Sequence, residues 1–297
     1  MVRLKTVHLK EGTRLGERYK LTRQIGRGST AEVWAALDRM SSNQVAIKVI
    51  SELMALSTQA RLRFDREMQA IGLIHHPNVV AMLDHGQVED GRPYLVMELI
   101  EGDSFGAYLD ENGRLAPRGM LTLTSQVLDG LEAAHELGII HRDLKPANIY
   151  LAQLPSGKRR VKILDFGVAH TLEFAAQSSG GRLTTTGSIL GSPRYMCLEV
   201  ARGSPDIDVR ADVFGVGATM YHAFTGHPPF DGEGMGQILN KIFKHEILPL
   251  AAERPDLPER LVRCVERALA HLPDDRHGSA HEMRMEVDAI AEEMREA

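Results

Sequence analysis

The hydrophobic patterning of the chain changes character near residue 100, and this change constrains the fold more than any other feature of the sequence. Before it, YKLTRQIG, EVWAALD, QVAIKVI and RPYLVMEL are short β-branched or aromatic runs separated by Gly, Asn or Asp, which predicts an antiparallel sheet. One helix is expected among them over about 58–73, where Leu62, Phe64, Met68, Ile71 and Leu73 fall near helical spacing and Pro77 prevents continuation. After it, helical patterns dominate, at 117–137, 212–224, 237–245, 259–271 and 280–296. The expectation is an α+β fold: an N-terminal extension over 1–15, a small β-rich lobe over 16–100 and a larger helical lobe over 101–297, with a ligand crevice between the lobes. With 297 residues, 43% of them hydrophobic, the chain can bury one large core or two modest ones.

Charge and cysteine usage exclude several functions. Lys and Arg number 35 against 40 Asp and Glu, so the net charge of −5 lacks the basic excess of a general nucleic-acid binder. The two cysteines, Cys197 and Cys264, form no CxxC pair, and no Cys/His spacing resembles a zinc site. No apolar run approaches the roughly 18–20 residues of a spanning helix, and the basic start MVRLKTVHLK leads into no signal-peptide core. The sequence therefore reads as soluble and cytoplasmic, with no membrane segment and no nucleic-acid partner.

Gly26-Arg27-Gly28-Ser29-Thr30-Ala31-Glu32-Val33 lies between two predicted strands. A dinucleotide fingerprint needs a helix next, and a Walker A loop needs Gly-Lys-Ser/Thr, so what remains is a glycine-rich hairpin whose backbone N–H groups can approach phosphates. Alone, a Gly-x-Gly hairpin between strands is more often only a turn. It gains meaning from Val45-Ala46-Ile47-Lys48, a lysine in an otherwise apolar strand, 22 residues after Gly26. A lysine there needs a partner, and Glu67, 19 residues further on, can supply a carboxylate that holds the ammonium against phosphate oxygens. A strand-edge lysine with its head in solvent is the alternative.

A second constellation is His141-Arg142-Asp143-Leu144-Lys145-Pro146-Ala147-Asn148, followed by Ile163-Leu164-Asp165-Phe166-Gly167. Asp143 and Asn148 can present a base and a metal-binding amide to one site, and Asp165 adds a hard carboxylate oxygen suited to Mg²⁺.

Taken in this order, these motifs resemble those of bacterial eukaryotic-like (Hanks-type) serine/threonine protein kinases, and the similarity runs over about 16–295. The resemblance implies a bilobal protein kinase-like fold and ATP- and Mg²⁺-dependent transfer of the γ-phosphoryl group to Ser/Thr hydroxyls of protein substrates. It implies that Gly26, Arg27, Gly28 and Ser29 fold over ATP, that Ile25, Val33 and Ala46 roof the adenine, and that Lys48, held by Glu67, contacts the α- and β-phosphates. Glu98 and Ile100 would offer the adenine a carbonyl and an amide, with Met97 as gatekeeper and Tyr150 on the pocket floor. Asp143 would accept the substrate hydroxyl proton, Lys145 would steady the γ-phosphate, and Asn148 with Asp165 would hold Mg²⁺. Lys145 and Gly191-Ser192-Pro193-Arg194-Tyr195 resemble the Ser/Thr branch rather than tyrosine kinases. Arg142 is the family's cation for a phosphorylated activation loop, which points to autophosphorylation within Thr184-Thr185-Thr186-Gly187-Ser188, with Thr184 and Thr186 foremost. Asp212 is expected to accept backbone hydrogen bonds from the catalytic loop. Activation through a homodimer is common among such kinases, although no feature here sets an oligomeric state.

Three positions depart from the family pattern. Ala31 replaces the third loop glycine, Cys197-Leu198-Glu199 stands where Ala-Pro-Glu or Ser-Pro-Glu is expected, and Leu154 to Arg160 form a hairpin insertion. Arg276 matches the arginine that pairs with Glu199, so the anchor is expected to survive without the proline's rigidity. The altered segment motivates a second hypothesis, a pseudokinase scaffold, and small-molecule phosphotransferases of related fold supply a third. Against these stand the full set Lys48, Glu67, Asp143, Asn148 and Asp165 and the segment leading to Glu199. Cys197 is expected to be a small packed residue, with a redox-sensing thiol as the alternative.

Overall fold

The computed structural model describes residues 7–28, 31–50, 68–166 and 193–296. Ser29, Glu67, Gly167, Thr184, Thr186 and Ser192, and all but the last turn of the helix expected at 58–73, lie outside the described residues. The chain divides into two compact units. The first holds Val80–Glu101 and the described part of Met1–His75; the second holds His76–Val79 and the described parts of Gly102–Ala169 and Gly187–Ala297.

The first unit is one antiparallel sheet of β1 (Arg14–Leu15), β2 (Tyr19–Arg27), β3 (Ala31–Asp38), β4 (Gln44–Ile50), β5 (Met82–Gln87) and β6 (Pro93–Glu98), in the order β1-β2-β3-β4-β6-β5. Alternation decides which face is buried. Trp34 and Ala36 on β3, Val45, Ile47 and Val49 on β4, and Tyr94 and Val96 on β6 share one face and pack with Leu15, Tyr19 and Leu21 into a single core. Val7 and Leu9 pack against that core. Polar bonds fasten the sheet's periphery: Arg18 forks onto both oxygens of Asp38 at 3.0 and 2.9 Å and reaches Asp84 of β5 at 2.9 Å. Asp38 also accepts from Met40 N and Ser41 Oγ, which closes the β3–β4 turn. These bonds hold the Asp38 carboxyl well below the usual carboxylate range, the Arg18 bond being the largest cause.

The second unit combines a small sheet, β7 (Gly102–Ser104), β8 (Ile149–Gln153) and β9 (Arg159–Ile163), with helices α1 (Phe105–Asn112), α2 (Pro117–His135), α3 (Leu198–Ala201), α4 (Arg210–Thr225), α5 (Met235–Lys244), α6 (Leu250–Glu253), α7 (Glu259–Ala268) and α8 (Ala280–Glu296). A proline at the first turn starts α2, as its fixed φ and missing donor suit. Helix α4 has no polar stripe: all of its residues except Arg210 and His222 are buried, which marks it as the central helix of the unit. Met283, Val287 and Ile290 line the buried face of α8 at helical spacing. The 154–160 insertion is the β8–β9 hairpin, exposed from Pro155 through Arg160 and turned at Gly157.

Gly102 starts β7 at φ +141°, and a Cβ there would stand 2.3 Å from the Leu151 carbonyl oxygen. Both the backbone conformation and the close approach require glycine. Gly102→Ala is expected to cost about 1–3 kcal/mol, read as a lower denaturant midpoint without a change in slope.

Candidate active site

The glycine-rich segment is a strand-to-strand hairpin. Gln24 pairs Trp34 and Gly26 pairs Val33, so Ile25 is the extra residue of a β-bulge, a device that re-aims a side chain. Gly28 N donates to Ala31 O at 2.9 Å and closes the loop base. Register then places Gly26, Val33, Ala46, Lys48, Leu95 and Met97 on one face of the sheet, opposite the Trp34–Ile47–Val96 core. Lys48 is half-buried between Val33 and Leu95, and Ala46 sits between Ala35 and Met97. Arg27 pairs with Glu32 on the other face, so its backbone rather than its guanidinium belongs to the loop. At the end of β6, Glu98 N donates to Ala81 O at 3.0 Å while Ala81 N donates to Glu98 Oε1 at 2.8 Å. This reciprocal pair sets the path into Leu99 and Ile100, both half-buried.

In the second unit, one buried carboxylate organises the catalytic loop. Asp212, on the first turn of α4, accepts His141 N and Arg142 N at 2.8 Å each and meets His135 Nε2 at 2.8 Å. Asp212 thus has the supporting role expected of it. Two turns of the motifs adopt the left-handed region, Arg142 at φ 65° and Asp165 at φ 63°, an uncommon conformation for side-chain-bearing residues and one that concentrates at functional sites. The two motifs are sewn together: Leu164 N donates to Asn148 O at 2.9 Å, His141 Nε2 meets Leu164 O at 2.7 Å, and the His141 and Phe166 rings pack at 4.9 Å. Asp143 stands at the centre. Lys145 Nζ donates to Asp143 Oδ2 at 2.6 Å, and Asn148 Nδ2 donates to Asp143 O at 2.8 Å and Oδ2 at 3.3 Å. With its amide nitrogen used in this way, Asn148 has Oδ1 to offer a cation. Tyr150 comes next on β8, opposite Ser104 and Lys162, and burial raises its phenol pKa.

Asn148 Oδ1 and the carboxylates of Asp143 and Asp165 are all hard oxygen donors, the chemistry that suits Mg²⁺. The residues present therefore fit the expected ion.

Sequence reasoning missed two supports. His135 belongs to no motif, and only the register of α2 brings it to Asp212. Gly215 reads in the sequence as one letter of an apolar helix, yet a Cβ there would lie 2.9 Å from Leu144 Cβ and 3.0 Å from Leu144 O. Its missing side chain lets the residue after Asp143 rest on α4.

The end of the activation segment is anchored as expected. Arg276 binds both Glu199 oxygens, at 2.6 and 3.1 Å, and gives its other donors to Ala270, Arg210 and His271 carbonyls. All five guanidinium N–H groups are thereby used. Burial raises the Glu199 carboxyl, but the Arg276 bonds outweigh it and the net shift is downward. Cys197 is buried, and that burial pushes its thiol far above the ordinary range, which removes the redox-sensor alternative.

A sequence model described as the protein kinase domain matches residues 19–287. A probable serine/threonine-protein kinase of Corynebacterium efficiens is 35% identical over 284 residues, covering 93% of this chain and 42% of the relative. The serine/threonine-protein kinase PknB of Mycolicibacterium smegmatis is 34% identical over 281 residues, covering 94% and 44%. Among solved structures, the Mycobacterium tuberculosis PknI kinase domain superposes with a TM-score of 0.75 at 28% identity, covering 96% of this chain and 100% of that one. The chain belongs to the protein kinase family, on its bacterial eukaryotic-like serine/threonine branch. It spans about half the length or less of the curated relatives it matches. Among the described residues, no helix is long and apolar enough to cross a membrane.

Two substitutions test these contacts. Asp212→Asn replaces an acceptor of three donors by an amide that turns N–H groups toward them; stability is expected to fall by about 1–3 kcal/mol, with a parallel loss of turnover, checked by denaturation and a phosphotransfer assay. Glu199→Gln is expected to destabilise the chain most above the ordinary glutamate pKa of about 4.3. Because the folded Glu199 value is depressed, its contribution is complete above that pH and is lost as pH falls through the folded value. The gap between parent and variant should therefore narrow in acid, as read from denaturant midpoints.

Proposed function

We propose that this chain is an active protein kinase that transfers the γ-phosphoryl group of ATP to Ser or Thr hydroxyls of proteins. The observation that carries this reading is the bonded set Asp143–Lys145–Asn148, joined to the Asp165 segment through Leu164 and Asn148. Asp143 orients the substrate hydroxyl and accepts its proton as the hydroxyl oxygen bonds to phosphorus and the bond to the ADP leaving oxygen breaks. Lys145, already on Asp143 Oδ2, carries the positive charge that draws the γ-phosphate to the same spot. Mg²⁺, when bound, neutralises charge on the phosphate oxygens; Asn148 and Asp165 are the residues that would hold it.

The first unit supplies nucleotide binding. Lys48, held by Glu67, meets the α- and β-phosphates, and the backbone of Gly26, Arg27, Gly28 and Ser29 covers them. Ile25, Val33, Ala46 and Met97 enclose the adenine, and Glu98 and Ile100 bind its edge through the backbone; Tyr150, on β8 of the second unit, is the residue assigned to the pocket floor. Support comes from the sheet register, which puts Gly26, Val33, Ala46, Lys48 and Met97 on a face that the core does not use. Residues 16–100 and 101–297 are the nucleotide-binding and substrate-docking parts of this reading, with 1–15 as an extension.

Protein rather than small-molecule substrates are favoured because Asp143 shares a recess with Tyr195 and Met196, just ahead of the anchored Glu199. Regulation is by autophosphorylation at Thr184 or Thr186, with Arg142 as the cation that receives the phosphate. The scaffold alternative loses its motive, since the Glu199–Arg276 anchor persists without the proline.

Incubation with γ-labelled ATP and Mg²⁺, followed by mass spectrometry, tests this reading. The parent is expected to acquire phosphate within residues 184–188, while Asp143→Asn and Lys48→Met each lower transfer by about 10²–10⁴-fold. Persistent transfer by purified Asp143→Asn would remove the role assigned to that carboxylate. ATP binding without transfer in the parent would favour the scaffold.

A further inference from the structure

Outside the phosphoryl-transfer constellation, three side chains of metal-binding type converge in the second unit. Cys264 lies on α7, His277 in the turn after the short helix Pro273–Asp275, and Glu286 on α8. One ligand atom from each falls within 4.8 Å of the other two. Cys264 and His277 are buried, and the Glu286 side chain is 26% exposed, which leaves an entry path from solvent. His277 meets Glu286 Oε2 through Nε2 at 2.9 Å, yet its Nδ1 has no hydrogen-bond partner although the side chain is fully buried.

We propose that Cys264, His277 and Glu286 form a binding site for one divalent cation of borderline softness, with Zn²⁺ as the fitting ion.

A histidine kept only for packing would satisfy both ring nitrogens, because a buried polar atom without a partner costs about 1–3 kcal/mol. Here Nδ1 is left over, and one ligand atom each from Cys264 and Glu286 lies within 4.8 Å of a ring nitrogen. Coordination uses the lone pair of a neutral imidazole. The donor set selects the metal class. Thiolate and imidazole together disfavour Mg²⁺ and Ca²⁺, which take oxygen ligands, and suit Zn²⁺. Zinc–ligand bonds of about 2.0–2.3 Å place tetrahedral ligand atoms about 3.3–3.6 Å apart. The three ligand atoms, within 4.8 Å of one another, therefore have to draw in around the ion. Three protein ligands leave the fourth position for water.

The charge balances. Zn²⁺ displaces the Cys264 thiol proton to solvent, and thiolate plus carboxylate then neutralise the cation, so no net charge is buried. Arg267 stands 3.8 Å from Glu286 but gives its closer contact, 2.6 Å, to Glu282. Since His277 adjoins Arg276, a metal at this site would brace the turn that delivers Arg276 to Glu199.

The test uses the whole chain with excess Mg²⁺ present, so that the oxygen-lined site is filled. Zinc content after dialysis and the absorption of the Co²⁺-loaded protein are measured for the parent, Cys264→Ser, Glu286→Gln and Cys197→Ser. Thiolate-to-cobalt charge transfer reports sulfur ligation, and Cys197 is the only other thiol. Expected are one zinc per chain, a charge-transfer band retained in Cys197→Ser and lost in Cys264→Ser, and a Tm that zinc raises in the parent. Glu286→Gln, at a partly exposed position, is expected to fold and to weaken zinc binding by about tenfold or more. Absence of the band, its persistence in Cys264→Ser, or unchanged affinity in Glu286→Gln would overturn the proposal. If Cys264→Ser fails to fold, the parent band and the Glu286→Gln affinity decide the matter.

Discussion

The buried carboxylate of Asp212 is the constraint on which the second unit depends. A carboxyl group taken fully out of water must have its oxygens met by polar partners, and Asp212 finds them in two consecutive backbone amides, His141 and Arg142, and in the His135 ring. To present both amides to one carboxylate the chain bends through a left-handed residue at Arg142, and the next residue is Asp143. Asp143 is thus placed by the two residues ahead of it. The residue behind it is placed by the same helix, since Leu144 seats against Gly215 one turn further along α4. A single almost wholly buried helix therefore holds the loop from both sides of its reactive carboxylate.

The first unit solves a different problem by alternation. A sheet needs one face for its core, and large side chains claim the face of Trp34, Ile47 and Val96. Period two then leaves Gly26, Val33, Ala46, Lys48 and Met97 together on the other. Small and medium side chains on that face suit a flat ring and a phosphate chain, and the half-buried Lys48 is the one cation among these register-matched residues. The bulge at Ile25 changes the parity just before the loop, so that Gly26 pairs with Val33 rather than falling opposite Glu32.

Loss of the expected proline at the end of the activation segment is tolerated because rigidity there comes from elsewhere. Arg276 is fully buried and spends every donor, two on Glu199 and three on carbonyls, while its guanidinium lies over the Phe214 ring of α4 at 5.0 Å. A planar fork satisfied on all sides holds the segment's end with more directional bonds than a pyrrolidine ring would supply. Cys197 is left to do no more than fill space and start α3.

Short-range pattern was enough to find the elements that carry the chemistry. Strands at YKLTRQIG, EVWAALD and QVAIKVI, helix 280–296, the hairpin type of the glycine loop and the residues of both central motifs were legible, because strand alternation, turn residues and linear spacing are local properties. Strand β5 (MLDHGQ) was not, since its polar residues serve partners far away, Asp84 meeting Arg18 and Tyr19. Nor was the full extent of α4, whose all-round burial erases the stripe that marks a surface helix. The sequence by itself determined the family and the α+β class, and singled out the motif residues that the proposed chemistry uses. Only the tertiary structure decided that His135 would support Asp212, that Gly215 must lack a side chain, and that Cys264, His277 and Glu286 would meet across three separate elements. The physical reason is that these relations depend on helix register and packing between segments distant in sequence, which no local spacing encodes.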